Sequence, residues 1–102
     1  MNRLEEILTE MQVETLKLSF SGILRKTREK LGIRQYRAAE YLKMPMSRLK
    51  NLENGFFAEL PKSREFKEFS ELYKIPYEFL VSKAQKQVNA RKRLMGKEVK
   101  ND

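Results

Sequence analysis

Seven residues punctuate this chain. Pro45, Pro61 and Pro76, with Gly22, Gly32, Gly55 and Gly96, cut its 102 residues into pieces of helix length. Proline removes a backbone donor and glycine loosens the backbone, so both tend to mark the ends of regular elements. Within the pieces, apolar residues return every three or four positions, the period of a helix with one buried face. No five-residue window alternates apolar and polar residues with β-branched bulk, and valine and isoleucine occur only four times each. The pattern predicts an all-α chain.

Six helices are expected. The first runs from Asn2 to about Leu16, with Leu4, Ile7, Leu8, Met11 and Thr15 on one side and Glu5, Glu6, Glu10 and Glu14 on the other. Ser19 or Ser21 can cap a second helix, Gly22–Leu31, whose stripe is Ile23, Leu24, Thr27 and Leu31. Gly32 then stands where a helix ends in a left-handed residue. Gln35–Leu42 is a short third helix with Ala38, Ala39 and Leu42 inward. Met46–Asn54 is a fourth, opened by Pro45 and stopped by Gly55, with Leu49 and Leu52 inward. Ser63–Tyr73 is a fifth, carrying Phe66, Phe69, Leu72 and Tyr73. Pro76 opens a sixth through Phe79, Leu80 and Ala84, extending towards Leu94.

Composition narrows the chemistry. The chain has no cysteine and no histidine. Disulfides, thiol catalysis, Cys/His zinc sites and histidine bases are excluded together. Its acidic residues are 13 glutamates and one terminal aspartate, Asp102, which disfavours calcium loops and phosphoryl-transfer sites. An enzyme would have to work with Glu, Lys or Tyr alone, and no pair is suitably spaced. Four glycines make no phosphate-cradling loop. No metal or other cofactor is expected. No apolar run exceeds three residues, so no membrane span or signal peptide is expected and a cytoplasmic place is inferred.

Charge is uneven. The whole chain carries +8, with residues 1–17 at −2 and residues 18–80 and 81–102 at +5 each. An excess of Lys and Arg draws polyanions, chiefly by releasing counterions from phosphate. Residues 1–18, 19–81 and 82–102 are therefore read as an amphipathic N-terminal helix, a central domain and a basic C-terminal helix or tail.

The segment Gln35–Gly55, QYRAAEYLKMPMSRLKNLENG, carries the function. Two short helices flank Lys43-Met44-Pro45. Ala38 and Ala39 allow a close crossing, Met44 can plug the gap, and Leu49 and Leu52 anchor the second helix from beneath. Met46, Ser47, Arg48, Lys50, Asn51 and Asn54 are left exposed or half exposed. A helix about 10–12 Å across fits a B-DNA major groove about 12 Å wide. This is the logic of a helix-turn-helix whose second helix reads the groove.

The residues that follow this logic also resemble a known family, the lambda-repressor/Cro-like helix-turn-helix proteins, often called the Xre family. The resemblance spans about residues 21–81. It is carried by Leu24-Arg25-Lys26-Thr27-Arg28-Glu29, Gly32-Ile33-Arg34-Gln35, Ala39-Glu40-Tyr41-Leu42, Met44, Ser47, Leu49, Leu52, Glu53-Asn54-Gly55 and the stretch from Leu72 to Leu80. It implies a compact five-helix domain that binds operator DNA as a homodimer and represses. It further implies that Gln35 touches the phosphate chain and buttresses the reader helix. Met46, Ser47 and Asn51 match base-contacting positions, and Arg48 and Lys50 lie beside them. Asn54, Lys62 and Arg64 match positions that contact the backbone. Asn can pair twice with adenine and Arg with guanine, while Met offers only apolar contact. We expect Met46, Ser47, Arg48 and Asn51 to read sequence, and Gln35, Lys50, Asn54, Lys62 and Arg64 to set register.

Some positions depart from the family. Lys43 stands where many members have Gly, Pro45 replaces the usual Ser or Thr cap, and Phe56-Phe57-Ala58-Glu59 fills a loop that is commonly basic and shorter. Phe56 and Phe57 are expected to pack in the core, or else to meet a partner. Tyr36, Tyr41 and Tyr77 are expected to pack with their hydroxyls in water. The N-terminal stripe can pack on its own domain, exchange into a dimer or dock another protein. The basic tail can be solvated, form a DNA arm or extend a dimer helix. The alternative function is an antitoxin or other partner-binding regulator that uses the same DNA module and holds a protein through residues 1–18 or 82–102. RNA binding without groove reading is a further, weaker reading.

Overall fold

The computed structural model describes residues 18–100, with side-chain positions as far as Leu94. These residues form five helices and no strand: α1 (Phe20–Lys30), α2 (Gln35–Tyr41), α3 (Met46–Asn54), α4 (Ser63–Tyr73) and α5 (Tyr77–Lys100). The helix expected over Asn2 to Leu16 lies outside the described residues.

α1 begins two residues earlier than its periodicity suggests. Ser19 is the cap, its Oγ accepting the Gly22 N–H at 3.1 Å. Ser21, the other candidate, lies inside the helix, buried, with its hydroxyl donating to the Leu52 carbonyl at 2.6 Å. The shift brings Phe20 into the centre of the core, where its ring meets Phe57, Phe66 and Phe69 edge-on at 5.9, 5.8 and 6.3 Å. Edge-to-face pairs of this kind add about 0.5–1.5 kcal/mol each beyond the area they bury. Leu31, expected in the stripe, is exposed at the C-cap instead.

α2 packs on α3 through Ala38 and Ala39, both buried, and Met44 fills the space between the two helices. The turn that joins them follows the Schellman pattern. Lys43 N–H reaches the Glu40 carbonyl at 3.2 Å and Met44 N–H reaches Ala39 at 3.1 Å. The pattern requires a left-handed residue, and Lys43 adopts it at φ 55. Such a conformation costs an L-residue roughly 1 kcal/mol.

Gly55 ends α3 at φ 79, and a Cβ there would come within 3.3 Å of Gln87 Nε2. The loop beyond it splits the aromatic pair. Phe57 is buried in the core, while Phe56 remains 66 % exposed. The tyrosines divide too: Tyr77 packs edge-on against Phe66 at 5.9 Å, whereas Tyr41 stands mostly in solvent.

α5 lies against α1 and α4 through Leu80, Ala84 and Val88, four residues apart along one side. It continues without a break across Gly96 to Lys100. Gly96 is therefore no boundary, and the C-terminal segment is helical as far as Lys100. A lone glycine costs a helix only about 1 kcal/mol, which its neighbours can offset. Two polar links fix α5 in place. Gln87 takes the Ser21 N–H at 3.1 Å and gives its own amide hydrogen to Ser21 Oγ at 2.8 Å. Arg91 Nη1 donates to the carbonyls of Gly55 at 3.2 Å and Phe57 at 3.4 Å.

Candidate nucleic-acid interface

α3 has nine residues and two unlike sides. Leu49, Leu52 and Glu53 are buried, and Met46, Ser47, Lys50, Asn51 and Asn54 are exposed. At 3.6 residues per turn, those five occupy one continuous arc of about 140° along a rod roughly 14 Å long. Pro45 opens the helix without a side-chain cap. Its first turn is therefore free of any capping hydroxyl.

Beneath the arc is a buried ion pair. Glu53 faces inward and accepts from Arg28 Nε at 2.8 Å and Arg28 Nη2 at 3.0 Å. The same carboxylate accepts Gln35 Nε2 at 3.1 Å, and Arg28 Nη1 reaches the Ile33 carbonyl at 2.9 Å. α1, the following turn, α2 and α3 are thus joined at one carboxylate. Hydrogen bonding to Glu53 holds the Arg28 pKa above its ordinary value despite the opposing effect of burial. Gln35 is half-buried and braces α3 through this bond.

A second pair lies at the edge of the arc. Arg48 donates Nε and Nη2 to Glu65 at 2.9 and 3.0 Å, a two-point contact. Glu65 is three residues into α4 and also accepts the Lys62 N–H at 2.9 Å, satisfying a free donor of that helix end. The Arg48 hydrogen bonds lower the Glu65 pKa, with the Lys62 backbone bond adding to the effect and burial opposing it. Arg48 is therefore half-buried and committed to α4, unlike the five residues of the open arc. Lys62 and Arg64 are exposed, and with Arg48 they line a groove bounded by Met44, Pro45 and Leu60.

Of the nine expected contact residues, Met46, Ser47, Lys50, Asn51 and Asn54 share one surface. Lys62 and Arg64 stand at the start of the next helix, Arg48 links the two, and Gln35 lies behind α3. Sequence reasoning did not find the positioning residues Glu53, Arg28, Glu65, Ser21 and Arg91. One signal was available: Glu65 stands at the third position of its helix, where a carboxylate commonly turns back to the first backbone donors.

This geometry has a counterpart among known proteins. The model of a family described as a helix-turn-helix domain matches residues 23–73, half of the chain, from α1 to the end of α4. The chain belongs to this helix-turn-helix domain family. No curated protein and no solved structure matches it. α5 lies beyond the matched stretch, although Arg91 and Gln87 fasten it to the helix-turn-helix domain. No helix among the described residues is long and apolar enough to cross a membrane. Nor do the described residues gather three or more side chains that could hold a metal ion.

Proposed function

We propose that this helix-turn-helix protein is a sequence-specific DNA-binding transcription regulator of the lambda-repressor/Cro-like type, acting as a repressor. The observation that carries this reading is the exposed arc of Met46, Ser47, Lys50, Asn51 and Asn54 on a helix braced from behind by Glu53. Met46, Ser47 and Asn51 meet base edges in the major groove. Gln35, Lys50, Asn54, Lys62 and Arg64 set register on the phosphates. Arg48 serves as a strut to Glu65, because its Nε and Nη2 are both engaged by that carboxylate.

One short reader helix spans only a few base pairs. A homodimer on a two-fold site, with half-sites about 34 Å apart, supplies the remaining contacts. The protein works without a cofactor, in the cytoplasm and on the nucleoid. The acidic amphipathic segment 1–18 is assigned, on its sequence, to holding a second copy or another protein.

Selection of bound fragments from random duplex DNA tests the reading. A two-fold motif should emerge from the wild-type chain, and a Ser47→Ala, Asn51→Ala double variant should select a different or looser one. Lys62→Ala should weaken binding to all sequences and flatten the salt slope by about one. An unchanged motif from the double variant would defeat the residue assignment, and no enrichment by the wild type at modest salt would defeat the function.

A further inference from the structure

α5 is longer than the core requires. Val88 is its last core residue among the side chains described, yet the helix runs on to Lys100, a length of about 18 Å beyond Val88 at 1.5 Å per residue. Between Tyr77 and Leu94 it carries Lys83, Lys86, Arg91, Lys92 and Arg93 against one carboxylate, Glu78. Most single-sign helix faces do no more than keep a protein soluble, so charge alone decides nothing. Position adds the second argument.

Arg91 donates to the Gly55 and Phe57 carbonyls, at the C-terminal end of the reader helix. Gly55 is the C-cap of α3 and Phe57 lies in the loop just beyond it, and the C-terminal end of a helix carries partial negative charge, so a cation held there is also favourably placed against the helix dipole. The contact places α5 beside the end of α3 where exposed Asn54 stands. Lys92 and Arg93 follow Arg91 immediately and are exposed. Lys86, seven residues before Arg93, falls on the same side of the helix, away from Leu80, Ala84 and Val88. Lys86, Lys92 and Arg93 make no ion pair or hydrogen bond among the described residues.

A helix lying in the major groove meets a sugar–phosphate chain at the groove's edge. We infer that Lys92 and Arg93, carried on the helix that Arg91 anchors beside the end of α3, grip DNA phosphates outside the stretch that the reader helix covers. This inference rests on the DNA reading above and extends it to a part of the chain beyond the helix-turn-helix domain. A membrane partner fits less well, because the cationic side has no accompanying apolar stripe: Leu94 is the one large apolar side chain exposed after Tyr77 among the described residues.

The test uses the full chain and a duplex chosen by selection from a random pool. It is prepared as the bare site and with one helical turn of flanking DNA on each side. Affinity is measured across a range of salt for the wild type and for the Lys92→Gln, Arg93→Gln variant. Each phosphate contact contributes about 0.9 to the salt slope, so the wild-type slope per chain should steepen by about two on the flanked duplex. The variant should lose that increment, bind the bare site as the wild type does and melt at the same temperature. Equal slopes for variant and wild type on the flanked duplex would overturn the inference while leaving the DNA reading intact. So would a variant defect seen with single-stranded RNA of the same length and absent with duplex. Failure of the wild type to bind either duplex would overturn both readings.

Discussion

The Arg48 guanidinium grips the Glu65 carboxylate at two points, 2.9 and 3.0 Å, and so ties α3 to the first turn of the helix that follows it. Glu65 is buried while Arg48 is about one-third exposed at its side chain. The pair therefore has one foot in the core and the other beside the exposed arc of α3. We expect Arg48→Ala to lower stability by about 1–2 kcal/mol, since it strands a carboxylate out of water. DNA affinity should fall by a similar factor for every sequence, with base preference unchanged. Denaturant titration and a competition series of single-base variants measure the two effects. A change in preference at one base pair would return Arg48 to the reading surface.

The same pair makes stability depend on pH. The Glu65 pKa is lowered in the folded protein, mainly by Arg48. A lowered carboxylate contributes stability above its unfolded value, about 4.3, and that stability is lost as pH falls through the folded value. Wild type should exceed Glu65→Gln in melting temperature at neutral pH. The gap should close steadily as the buffer is taken below about pH 4.3. A gap that persists in strong acid would show that the variant loses something other than the charge.

Glu53 accepts hydrogen bonds from Arg28 and Gln35 with its side chain almost fully buried. Glu53→Gln keeps the shape and removes the charge. It leaves a cation without its counterion, and breaking a buried pair in this way costs about 3 kcal/mol or more. Chemical denaturation should show the loss. Amide exchange should rise first in α3 and in the turn at Ile33. A variant within about 0.5 kcal/mol of wild type, the range of ordinary surface changes, would remove Glu53 from its bracing role.

Tyr73 offers a change of opposite sign. Its ring packs at 5.8 Å from Phe69, yet its hydroxyl is buried with no hydrogen-bond partner among the described residues. Burial, with Glu53 nearby, raises the phenol's pKa and keeps it neutral. Tyr73→Phe deletes an unsatisfied polar atom and keeps the ring. Stability should rise by about 1 kcal/mol, or roughly 4–8 °C in melting temperature for a domain of this size. A lower melting temperature would mean that the hydroxyl does find a partner.

What could be read in the sequence was local. Gly55 marks the end of α3 because a left-handed stop needs no distant information, and α3 and α4 have the limits that their patterns predict. The arc of Met46, Ser47, Lys50, Asn51 and Asn54 follows from spacing once Leu49 and Leu52 are taken as inward. Ser21 stayed open as an alternative cap to Ser19 for the opposite reason. A serine beside a glycine looks like a cap, and its true partners, Leu52 and Gln87, are 31 and 66 residues away. Arg28, Glu53 and Glu65 look like ordinary surface charges until the fold pairs them across 25 and 17 residues. Phe56 and Phe57 are alike in type, and only the backbone turn at Gly55 decides which one faces in. The continuity of α5 was hidden by Gly96, whose local preference the surrounding helix overrides.

The single carboxylate shared by Arg28 and Gln35 has a mechanical corollary. On the DNA reading proposed above, a helix clamped from behind in this way has little room to tilt towards an ill-fitting target. Any mismatch must then be absorbed by the duplex, through bending or a change in groove width. Sites that differ only at base pairs the protein never touches should accordingly be told apart by their stiffness.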